Sequence, residues 1–520
     1  MTKITSTTSH AAAHTLLFTP RELKELATPL PSRIRAQINK KELNEAITLA
    51  KKMKDSPVVL HDFFADSCTV LWSWVGERLG EEVMEAMFRY VLAQAAKRQL
   101  FNIGILFRIF PRFGVSLLAK SCWRAHSCFG AGDFPARFSI TEDDEKFSFH
   151  MKPCASGARL WLKGIYEPSR GGRLSKEAHW WTWNRTGFPY YCMHCTFFNE
   201  MLPYELMGHI MWPVDEVKTP RDECTWHIYK DPNRIPDRYY KRLGIPKKEV
   251  PPVRAKRRRD RYFTEAELRE IVRPMPDRII EKLRAGDAAG AKKLCTMVKD
   301  ESLFLHDLYI NMLVATLTFI SKQAGEDGLG DALRVQYNTC VAPQIMPEIQ
   351  KLPAEEKVRF LALKIFGTDN CNGTGIPRGK FTVTETDRAV RFTLNPCGSG
   401  GRLLRGGAYK PMRALKRVRE RIEDSMFVIL SKLFPIPDAF LDWMFLTTGG
   451  YMCQRKPYGQ GITASAHTWS FNRSGVPYYC CQCGMLQEQL GARCVKISPP
   501  SRGHDHCVWE FDKEFLKTQQ

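Results

Sequence analysis

The sequence lacks long apolar runs. No stretch of about 18 residues is free of charge, and the first residues, MTKITSTTSHAAAHTLLF, have neither the basic start nor the apolar core of a secretory signal. These absences argue against a membrane-spanning helix and against secretion, so we expect a cytoplasmic protein. In that reducing compartment the 17 cysteines are expected to be thiols, metal ligands or nucleophiles rather than structural disulfides.

Acidic residues are also in deficit, with 56 Asp and Glu against 77 Lys and Arg and a formal net charge of +21. This charge attracts nucleic acid, anionic lipid or small anionic substrates without choosing among them. Part of the excess lies at 254–261 (RAKRRRDR), where a solvated linker is the main interpretation and a tail for nucleic acid or an acidic partner is the alternative. Because no helix-turn-helix or finger spacing is found, nucleic acid is the weaker expectation.

A repeat of roughly 240 residues runs along the chain. The tripeptide LHD at 60–62 returns 245 positions later at 305–307, and PCxSGxRL at 153–160 returns 243 positions later at 396–403. Agreement over several motifs in one order is not expected by chance, so we expect two domains. The predicted divisions are residues 1–240, a basic linker at 241–261, and residues 262–520.

The second repeat holds about 45 extra residues near 411–459, because the offset between the repeats rises from 243 to 288 across this segment. Its apolar residues are mixed with polar ones and interrupted by two prolines. This pattern predicts a packed helical insertion that forms a lid or an interface, and a membrane-surface helix is the alternative.

Each repeat is expected to be helical in front and antiparallel sheet behind. Apolar residues recur at three and four positions over ELNEAITLAKKMKD, VVLHDFFADSCTVLWSWVGERL and EEVMEAMFRYVLAQAAKR, and likewise in the second repeat, which indicates helices punctuated by Gly80 and Gly325. The segments ARFSITEDDEKFSFHMKP and GKFTVTETDRAVRFTLNP alternate, which predicts a strand, a turn and a second strand. The fold class is therefore α+β, with two tandem repeats.

Cysteines recur at matching places in the two repeats. A C-x-x-C pair after two tyrosines lets two thiolates of one loop reach a single tetrahedral ion. Each repeat adds a cysteine 24 to 29 residues later and another upstream, in the PCxSGxRL segment at 153–160 and 396–403, which we call the Pro-Cys loop. Zinc is the first choice; an iron–sulfur cluster would use the same thiolates, and buried structural thiols or a thiol active site without metal are the alternatives. The predicted metal ligands are Cys192, Cys195, Cys224, Cys480, Cys483 and Cys507.

The Pro-Cys loop brings a thiol, a hydroxyl, backbone amides and a guanidinium together, which is chemistry suited to holding an anion beside a nucleophile. It is not a tyrosine-phosphatase loop, which has five residues between Cys and Arg where this one has four. A histidine thirteen residues before each C-x-x-C permits a Cys/His/Asn arrangement for acyl transfer, with a structural role or metal ligation as alternatives. The candidate catalytic residues are Cys154, Arg159, His179, Cys397, Arg402 and His467.

Two further features lie near these motifs. The LHD tripeptides fall within predicted helices, where we expect one of the two polar residues to be packed and the other solvated. Aromatic residues are dense around the first C-x-x-C and are expected either to line a pocket for a flat organic ligand or to form core. These residues are Trp180, Trp181, Trp183, Tyr190 and Tyr191.

The LHD helix with its following Gly-Glu, the PCxSGxRL loop, the C-x-x-C and a closing DxCxW together resemble the L-2-amino-thiazoline-4-carboxylic acid hydrolase-like family over most of each repeat. This resemblance implies hydrolysis of a C–N or C–S bond in a small heterocyclic or aromatic compound, with the matching Cys and His as candidate site members. The chain is also distantly similar to vinyl-4-reductase-type ligand-binding domains, which implies zinc on C-terminal cysteines and a pocket for small molecules.

We therefore expect an enzyme acting on a small organic, anionic substrate whose carboxylate is held by Arg159 or Arg402. A non-catalytic, zinc-stabilised small-molecule-binding protein is the alternative, and a redox protein with an iron–sulfur site is the third interpretation. The sequence leaves the oligomeric state open, with a homo-oligomer among the alternatives.

Overall fold

The computed structural model describes residues 16–54, 56–95, 111–119, 132–251, 261–366, 380–401, 461–491, 494–499 and 506–517. The protein is α+β, with many helices and two small antiparallel sheets, as predicted. The predicted insertion near 411–459, residues 252–260 of the basic linker, and Arg402 lie outside the described residues.

Helices dominate the front of the first half. Gly80 separates two of them and has a φ of +99°, a left-handed conformation that glycine adopts without steric cost, which confirms the predicted break. The helices are α1 (Pro20–Leu26), α2 (Leu30–Asn39), α3 (Leu43–Lys52), α4 (Ser56–Arg78), α5 (Glu82–Ala95), α6 (Pro111–Leu118), α7 (Gly157–Leu162), α8 (Met193–Cys195), α9 (Leu202–Met207) and α10 (Asp237–Arg242).

The second half is also mainly helical ahead of its sheet. Gly325, with a φ of +70° and a ψ of −175°, breaks the longest helix at the place that corresponds to Gly80. The helices are α11 (Glu265–Val272), α12 (Met275–Arg284), α13 (Ala288–Gln336), α14 (Ala342–Lys351), α15 (Ala354–Phe360), α16 (Tyr478–Leu490) and α17 (Lys513–Lys517). Turns of 3₁₀-helix lie at Pro168–Arg170, Trp180–Thr182, Tyr190–Cys192, Pro232–Arg234 and Thr468–Ser470, and π-helix at Thr196–Met201, Tyr337–Val341 and Leu361–Phe366.

Each half contributes one sheet, and the predicted strand, turn and strand are confirmed in both. The first sheet has the order β1 (Arg137–Glu142), β2 (Lys146–Lys152), β3 (Cys224–Tyr229). The second has the order β4 (Phe381–Glu385), β5 (Ala389–Leu394), β7 (Cys507–Asp512), β6 (Val495–Ser498). In the first sheet Met151 of β2 lies opposite Cys224, and in the second Leu394 of β5 lies opposite Cys507.

The start of each half packs on the sheet of the other half. The backbone amides of residues 17 and 18 donate to the Glu385 carboxylate, and those of residues 262 and 263 donate to Glu142, at 2.7 to 3.0 Å. Both carboxylates also hold a lysine: Glu142 pairs with Lys230 at 2.9 Å, and Glu385 with Lys513 at 2.6 Å. These four side chains are at most 8% exposed, so the two halves are joined by reciprocal buried contacts.

The largest core also includes residues of both halves, because α4 packs along α13. Trp72 of α4 is fully buried there, and its Nε1 donates to Thr316 Oγ1 of α13 at 3.1 Å. The helix α4 is buried on nearly all sides between residues 61 and 76, as expected for a helix that is surrounded by other elements. Within the described part of the chain, no helix is both long and apolar enough to span a membrane.

Candidate functional site

A cysteine-lined pocket lies beside the sheet in each half. The first pocket has a volume of about 50 Å³ and the second about 180 Å³. Four of the cysteines that the sequence singled out line each pocket, although the Pro-Cys loop, the C-x-x-C and the last cysteine are far apart in the chain. The first is lined by Cys154, Cys192, Cys195 and Cys224, and the second by Cys397, Cys480, Cys483 and Cys507.

The fold explains this convergence in the first half. Cys154 follows the end of β2, and Cys224 opens β3 directly opposite Met151, so both thiols lie at one end of the sheet. The C-x-x-C lies on a continuous helical segment that begins at Tyr190, after Pro189, rather than on a loop as predicted. Proline is suited to the start of a helical turn because its fixed φ matches the turn and it has no N–H to leave unpaired.

The second C-x-x-C is also helical, because Cys480 and Cys483 lie in the first two turns of α16. In both halves a glycine of the Pro-Cys loop lies against the first of these cysteines. A Cβ atom added at Gly157 would lie 2.7 Å from Cys192 Sγ, and one added at Gly400 would lie 2.8 Å from Cys480 Sγ. Glycine at these positions therefore permits the close approach of loop and helix.

The environment of Cys154 stabilises its thiol as an anion. The pKa of Cys154 is lowered, chiefly because Cys224 donates its S–H, while burial opposes the shift and the backbone amides of residues 156, 157 and 158 add to it. The pKa of Cys224 is raised well above its usual value by the same hydrogen bond and by burial, so the pair holds its proton on Cys224. A thiolate is the nucleophilic form of cysteine, so this position carries the stronger nucleophile of the pair.

The C-x-x-C thiols of the first half stay protonated. Burial raises the pKa of Cys192 and of Cys195, and it lowers the pKa of His194 to about 4. His194 Nε2 lies 3.5 Å from Cys195 Sγ and is positioned to accept the thiol proton. These groups line the pocket as neutral donors and acceptors.

The predicted zinc or iron–sulfur site can be tested against this arrangement. The donor chemistry is that of a thiolate metal site, but within the described ranges no group of three or more His, Cys, Asp or Glu side chains is arranged so that it could hold a metal ion. The described cysteines of each pocket are therefore neighbours without forming a metal-binding group.

A second set of polar residues reaches the first pocket from α4. His61 Nε2 lies 2.7 Å from Ser156 Oγ, and His61 Nδ1 lies 3.1 Å from Asp62 Oδ1. All three residues are buried, and Ser156 lines the same pocket as Cys154. The expectation that one residue of the His-Asp pair is solvated is therefore wrong, because both turn into a hydrogen-bonded network.

Asp62 anchors this network as an ionised carboxylate. Burial by itself raises the pKa of Asp62, but the hydrogen bond and charge of His61, together with two cations, outweigh it and lower the pKa to about 2. The cations are Arg159, whose Nη2 lies 3.0 Å from Asp62 Oδ2, and Lys163, whose Nζ lies 2.5 Å from it. Arg159 is 2% exposed and is committed to Asp62, so its predicted role of holding a substrate carboxylate has no support in this geometry.

The candidate histidines lie away from both pockets. His179 Nε2 lies 3.1 Å from Glu81 Oε2, and the imidazole stacks on Trp181 with ring centroids 4.2 Å apart. His467 contacts Glu326 at 2.7 Å and stacks in the same way on the tryptophan two residues later. Glu81 also accepts hydrogen bonds from the backbone amides of residues 176 and 177, and Glu326 from those of residues 464 and 465. Each glutamate therefore ties the loop that leads to the histidine to the helical region that contains the Gly-Glu motif, which explains the motif.

The aromatic residues of the first half divide between pocket and core. Trp183 and Tyr191 line the first pocket, as do Trp161, Phe188 and Trp226. The other members of the predicted set do not line it: Trp180 packs on Phe197, Trp181 stacks on His179, and the Tyr190 hydroxyl donates to Glu81. The expected aromatic pocket is therefore formed by a different selection of rings.

The second pocket shares part of this plan. His306 Nε2 lies 3.0 Å from Ser399 Oγ, as His61 does from Ser156, and Ser399 and Cys397 both line the pocket. Its remaining lining is almost wholly apolar and includes Leu333, Tyr337 and Trp509. This larger cavity is suited to an apolar ligand.

The residues predicted for the first site did not include His61 or Tyr309, and Ser156 was expected there only as the hydroxyl of the Pro-Cys loop. Tyr309 lies on α13, and its hydroxyl is 2.9 Å from the Tyr191 hydroxyl and 3.5 Å from Ser156 Oγ. The signal for the serine and the histidine was present, because both recur in the two repeats at fixed places. Their contact crosses 95 positions, however, which no local pattern reveals.

Comparison with known proteins gives no match for this chain. No protein-family model, no curated protein and no solved structure matches it. The resemblance to the thiazoline-carboxylate hydrolase-like family therefore rests on the motifs of the sequence and stays a prediction.

Proposed function

We propose that the protein is a thiol-dependent hydrolase of small organic molecules and that its reactive site is the first pocket. One observation carries this proposal: an anion-stabilised thiol, Cys154, and a hydrogen-bonded Ser156–His61–Asp62 chain open onto the same pocket. A nucleophile and a base oriented by a carboxylate are the elements of covalent hydrolysis.

The proposed reaction has two stages. The Cys154 thiolate attacks an electrophilic carbon and forms an S–C bond, while the bond from that carbon to nitrogen, sulfur or oxygen breaks and the leaving atom takes the electron pair and a solvent proton. Water then attacks the same carbon and gives its proton to Ser156, whose own proton passes to His61. The thiolate leaves, and His61 returns the proton to solvent.

The lining favours a neutral substrate with a flat ring. The side chains that line the first pocket, among those the structure describes, include no Asp, Glu, Lys or Arg, so a substrate carboxylate would be buried without a cation. Trp183, Tyr191 and Trp226 supply aromatic surface instead. We therefore propose an uncharged heterocyclic or aromatic compound rather than the anion expected from the sequence.

The proposal also covers the relation between the two halves of the chain. We propose that the chain is a duplicated α+β unit in which both halves keep a cysteine pocket and a His–Ser contact, while only the first is reactive. The resemblance to the thiazoline-carboxylate hydrolase-like family supports a C–N or C–S bond as the one broken. A reducing, cytoplasmic setting is consistent with the free thiols of Cys154 and Cys224.

A chromogenic ester tests the proposal directly. With p-nitrophenyl acetate, the wild-type protein should release a burst of nitrophenolate equal to one acyl group per chain, followed by slower steady turnover. Peptide mass spectrometry should place the acetyl group on Cys154. The variant Cys154→Ser should lose the burst, and the matched control Cys68→Ser, at a thiol whose pKa burial raises, should keep it. Acetylation spread over several cysteines, with no burst, would overturn the proposal.

Uncharged and charged heterocycles can then be compared. The amide of 2-amino-thiazoline-4-carboxylic acid should be opened faster than the free acid if the pocket rejects a buried carboxylate. Ring opening is followed as the appearance of a new free thiol. Faster opening of the free acid would contradict a neutral substrate and indicate an anionic one.

A second function is favoured by the larger cavity. We propose that the second pocket binds a neutral apolar molecule without turnover, because its volume is about 180 Å³ and apolar side chains dominate its lining. Titration with the neutral fluorescent dye N-phenyl-1-naphthylamine should show one saturable site. That site should weaken when Met485, which lines the cavity, is replaced in Met485→Gln, whereas Met193→Gln in the first half should leave it unchanged.

A further inference from the structure

Two glutamine amides line the second pocket, where most of the other side chains are apolar. Gln336 is the last residue of α13, and Gln482 lies on α16 between the two cysteines of the second C-x-x-C. Gln336 Nε2 donates to Gln482 Oε1 at 2.8 Å, and Gln482 Nε2 donates to Tyr479 O at 3.2 Å. Gln336 is only 3% exposed, so the pair is a polar group held inside an apolar cavity.

The carbonyl of Tyr479 sets the direction of both amides. A backbone carbonyl only accepts hydrogen bonds, so Gln482 turns its nitrogen toward Tyr479 O and its oxygen toward Gln336. Gln336 therefore gives an N–H to that oxygen and keeps its own Oε1 as an acceptor. Within the described part of the chain, Gln336 Oε1 accepts no hydrogen bond, and each of the two amide nitrogens has a second N–H without a protein partner.

The amide pair offers these groups to a molecule in the pocket. A buried amide that lacks a partner is unfavourable, because folding removes it from water without replacing the lost hydrogen bonds. Among the described residues, no Lys, Arg, Asp or Glu side chain lines this pocket, so an ionised ligand group would be buried without a counter-charge. A hydroxyl is neutral and can both donate and accept, so it matches the acceptor and the donors of the pair.

The matching positions of the first half carry a different pair of residues. The repeat predicted from the sequence aligns Gln336 with Val91 and Gln482 with His194. His194 Nδ1 contacts Tyr191 O, which is the contact that corresponds to the one made by Gln482. Val91, however, is a fully buried aliphatic residue and has no polar group that could join His194. The linked amides therefore distinguish the second pocket from the first.

We infer that the second pocket selects a neutral, mainly apolar molecule that carries a hydroxyl, and that Gln336 and Gln482 determine this specificity. The inference rests on the proposed binding function of the second pocket. The hydroxyl donates to Gln336 Oε1 and accepts an N–H of the amide pair, while the rest of the molecule lies against the apolar lining. The pair thus supplies a selectivity that an apolar surface alone does not have.

Two probes that differ by one hydroxyl test the inference on the full-length chain. The affinities of 4-propylphenol and propylbenzene are measured by displacement of bound N-phenyl-1-naphthylamine. Gln336→Met keeps an unbranched side chain and removes the amide, so the preference for 4-propylphenol over propylbenzene should fall about fivefold, which is the scale of one neutral hydrogen bond. Gln482→Met should have a similar effect. The matched control Gln489→Met, at an exposed position of α16, should leave the preference unchanged.

The outcomes separate this inference from the binding function on which it rests. If N-phenyl-1-naphthylamine does not bind the wild-type protein, the proposed binding function fails and the inference fails with it. If the dye binds but the preference is the same in the wild type and in Gln336→Met, the binding function stands and the selectivity is overturned. Equal weakening of both probes in Gln336→Met would show a structural role for the amide and would also overturn the selectivity.

Discussion

Phe64 and Tyr309 stack on each other with ring centroids 5.7 Å apart and ring planes inclined by 16°. The two residues are 245 positions apart and hold matching places in the repeat predicted from the sequence. Each ring also packs on the histidine of the opposite half, so a single aromatic pair lies between the two His–Ser contacts. A substitution in this pair is therefore expected to change the surroundings of both histidines.

Cys154 should react with iodoacetamide at a pH where an ordinary thiol is unreactive. Its pKa is lowered chiefly by the Cys224 S–H, so Cys224→Ala should move the pH dependence of alkylation upward, while Cys224→Ser, which keeps a donor, should move it less. Mass spectrometry of the Cys154 peptide over a pH series measures this. An alkylation profile for Cys154 that matches that of a free cysteine would contradict the assignment.

Asp62 should make the protein sensitive to acid in a defined window. Its folded pKa of about 2 lies below the ordinary value of 3.8, so the stabilisation it gives is complete above about pH 4 and is lost as the pH falls toward 2. The shift corresponds to about 2 kcal/mol. Urea unfolding at pH 7, 4 and 3 should show this loss in the wild type.

The variant Asp62→Asn should lack that part of the pH dependence and should already be destabilised at pH 7, because Arg159 and Lys163 lose their shared anion. The exposed Asp144, on the turn between β1 and β2, provides the control Asp144→Asn, which should behave as the wild type does. Identical pH profiles for wild type and Asp62→Asn would show that Asp62 is not ionised in a buried network.

Glu142 should be a main determinant of stability. Glu142→Gln leaves the buried Lys230 without its counter-charge and weakens the acceptor for two backbone amides, so we expect a loss of about 3 kcal/mol. Thermal unfolding measures the change, and Glu385→Gln should have a similar effect at the other sheet. The control Glu145→Gln, at an exposed position of the same hairpin, should change stability by less than about 0.5 kcal/mol.

Metal content separates the thiol interpretation from the zinc interpretation. If the pocket cysteines act as free thiols, protein purified without oxygen should contain well under one zinc or iron per chain, and a chelator should not alter the alkylation of Cys154. Two zinc ions per chain, falling to one in Cys195→Ser and in Cys483→Ser, would establish the metal sites predicted from the sequence. Iron with sulfide would favour the redox interpretation.

The periodic features were predictable from the sequence. The helical and alternating patterns gave α4, α5 and the paired strands β1–β2 and β4–β5 because each arises from contacts among near neighbours in the chain. The glycine breaks at Gly80 and Gly325 were also predictable, because a left-handed φ is a property of one residue.

The site was only partly predictable. The repeated motifs identified the loops that line the pockets. They did not predict that Arg159 binds Asp62, because the sequence around an arginine is the same whether its side chain contacts a ligand or a buried carboxylate. Spacing placed His179 near the C-x-x-C, whereas the fold fastens it to Glu81. Tyr309 gave no signal at all, since its contact depends on the packing of α4 against α13.

The reciprocal cover of the two sheets also bears on how the chain folds as it is synthesised. Glu142 and Lys230 are complete before residues 262 and 263 exist, so the nascent first half must wait for the start of the second before its sheet is closed. The hydrogen bonds from the amides of residues 17 and 18 cannot form until Glu385 has been synthesised. The first residues of the second half thus complete the first sheet, and a ribosome that stops between the halves would release a chain whose first sheet is uncovered and whose Glu142 lacks two of its hydrogen-bond donors.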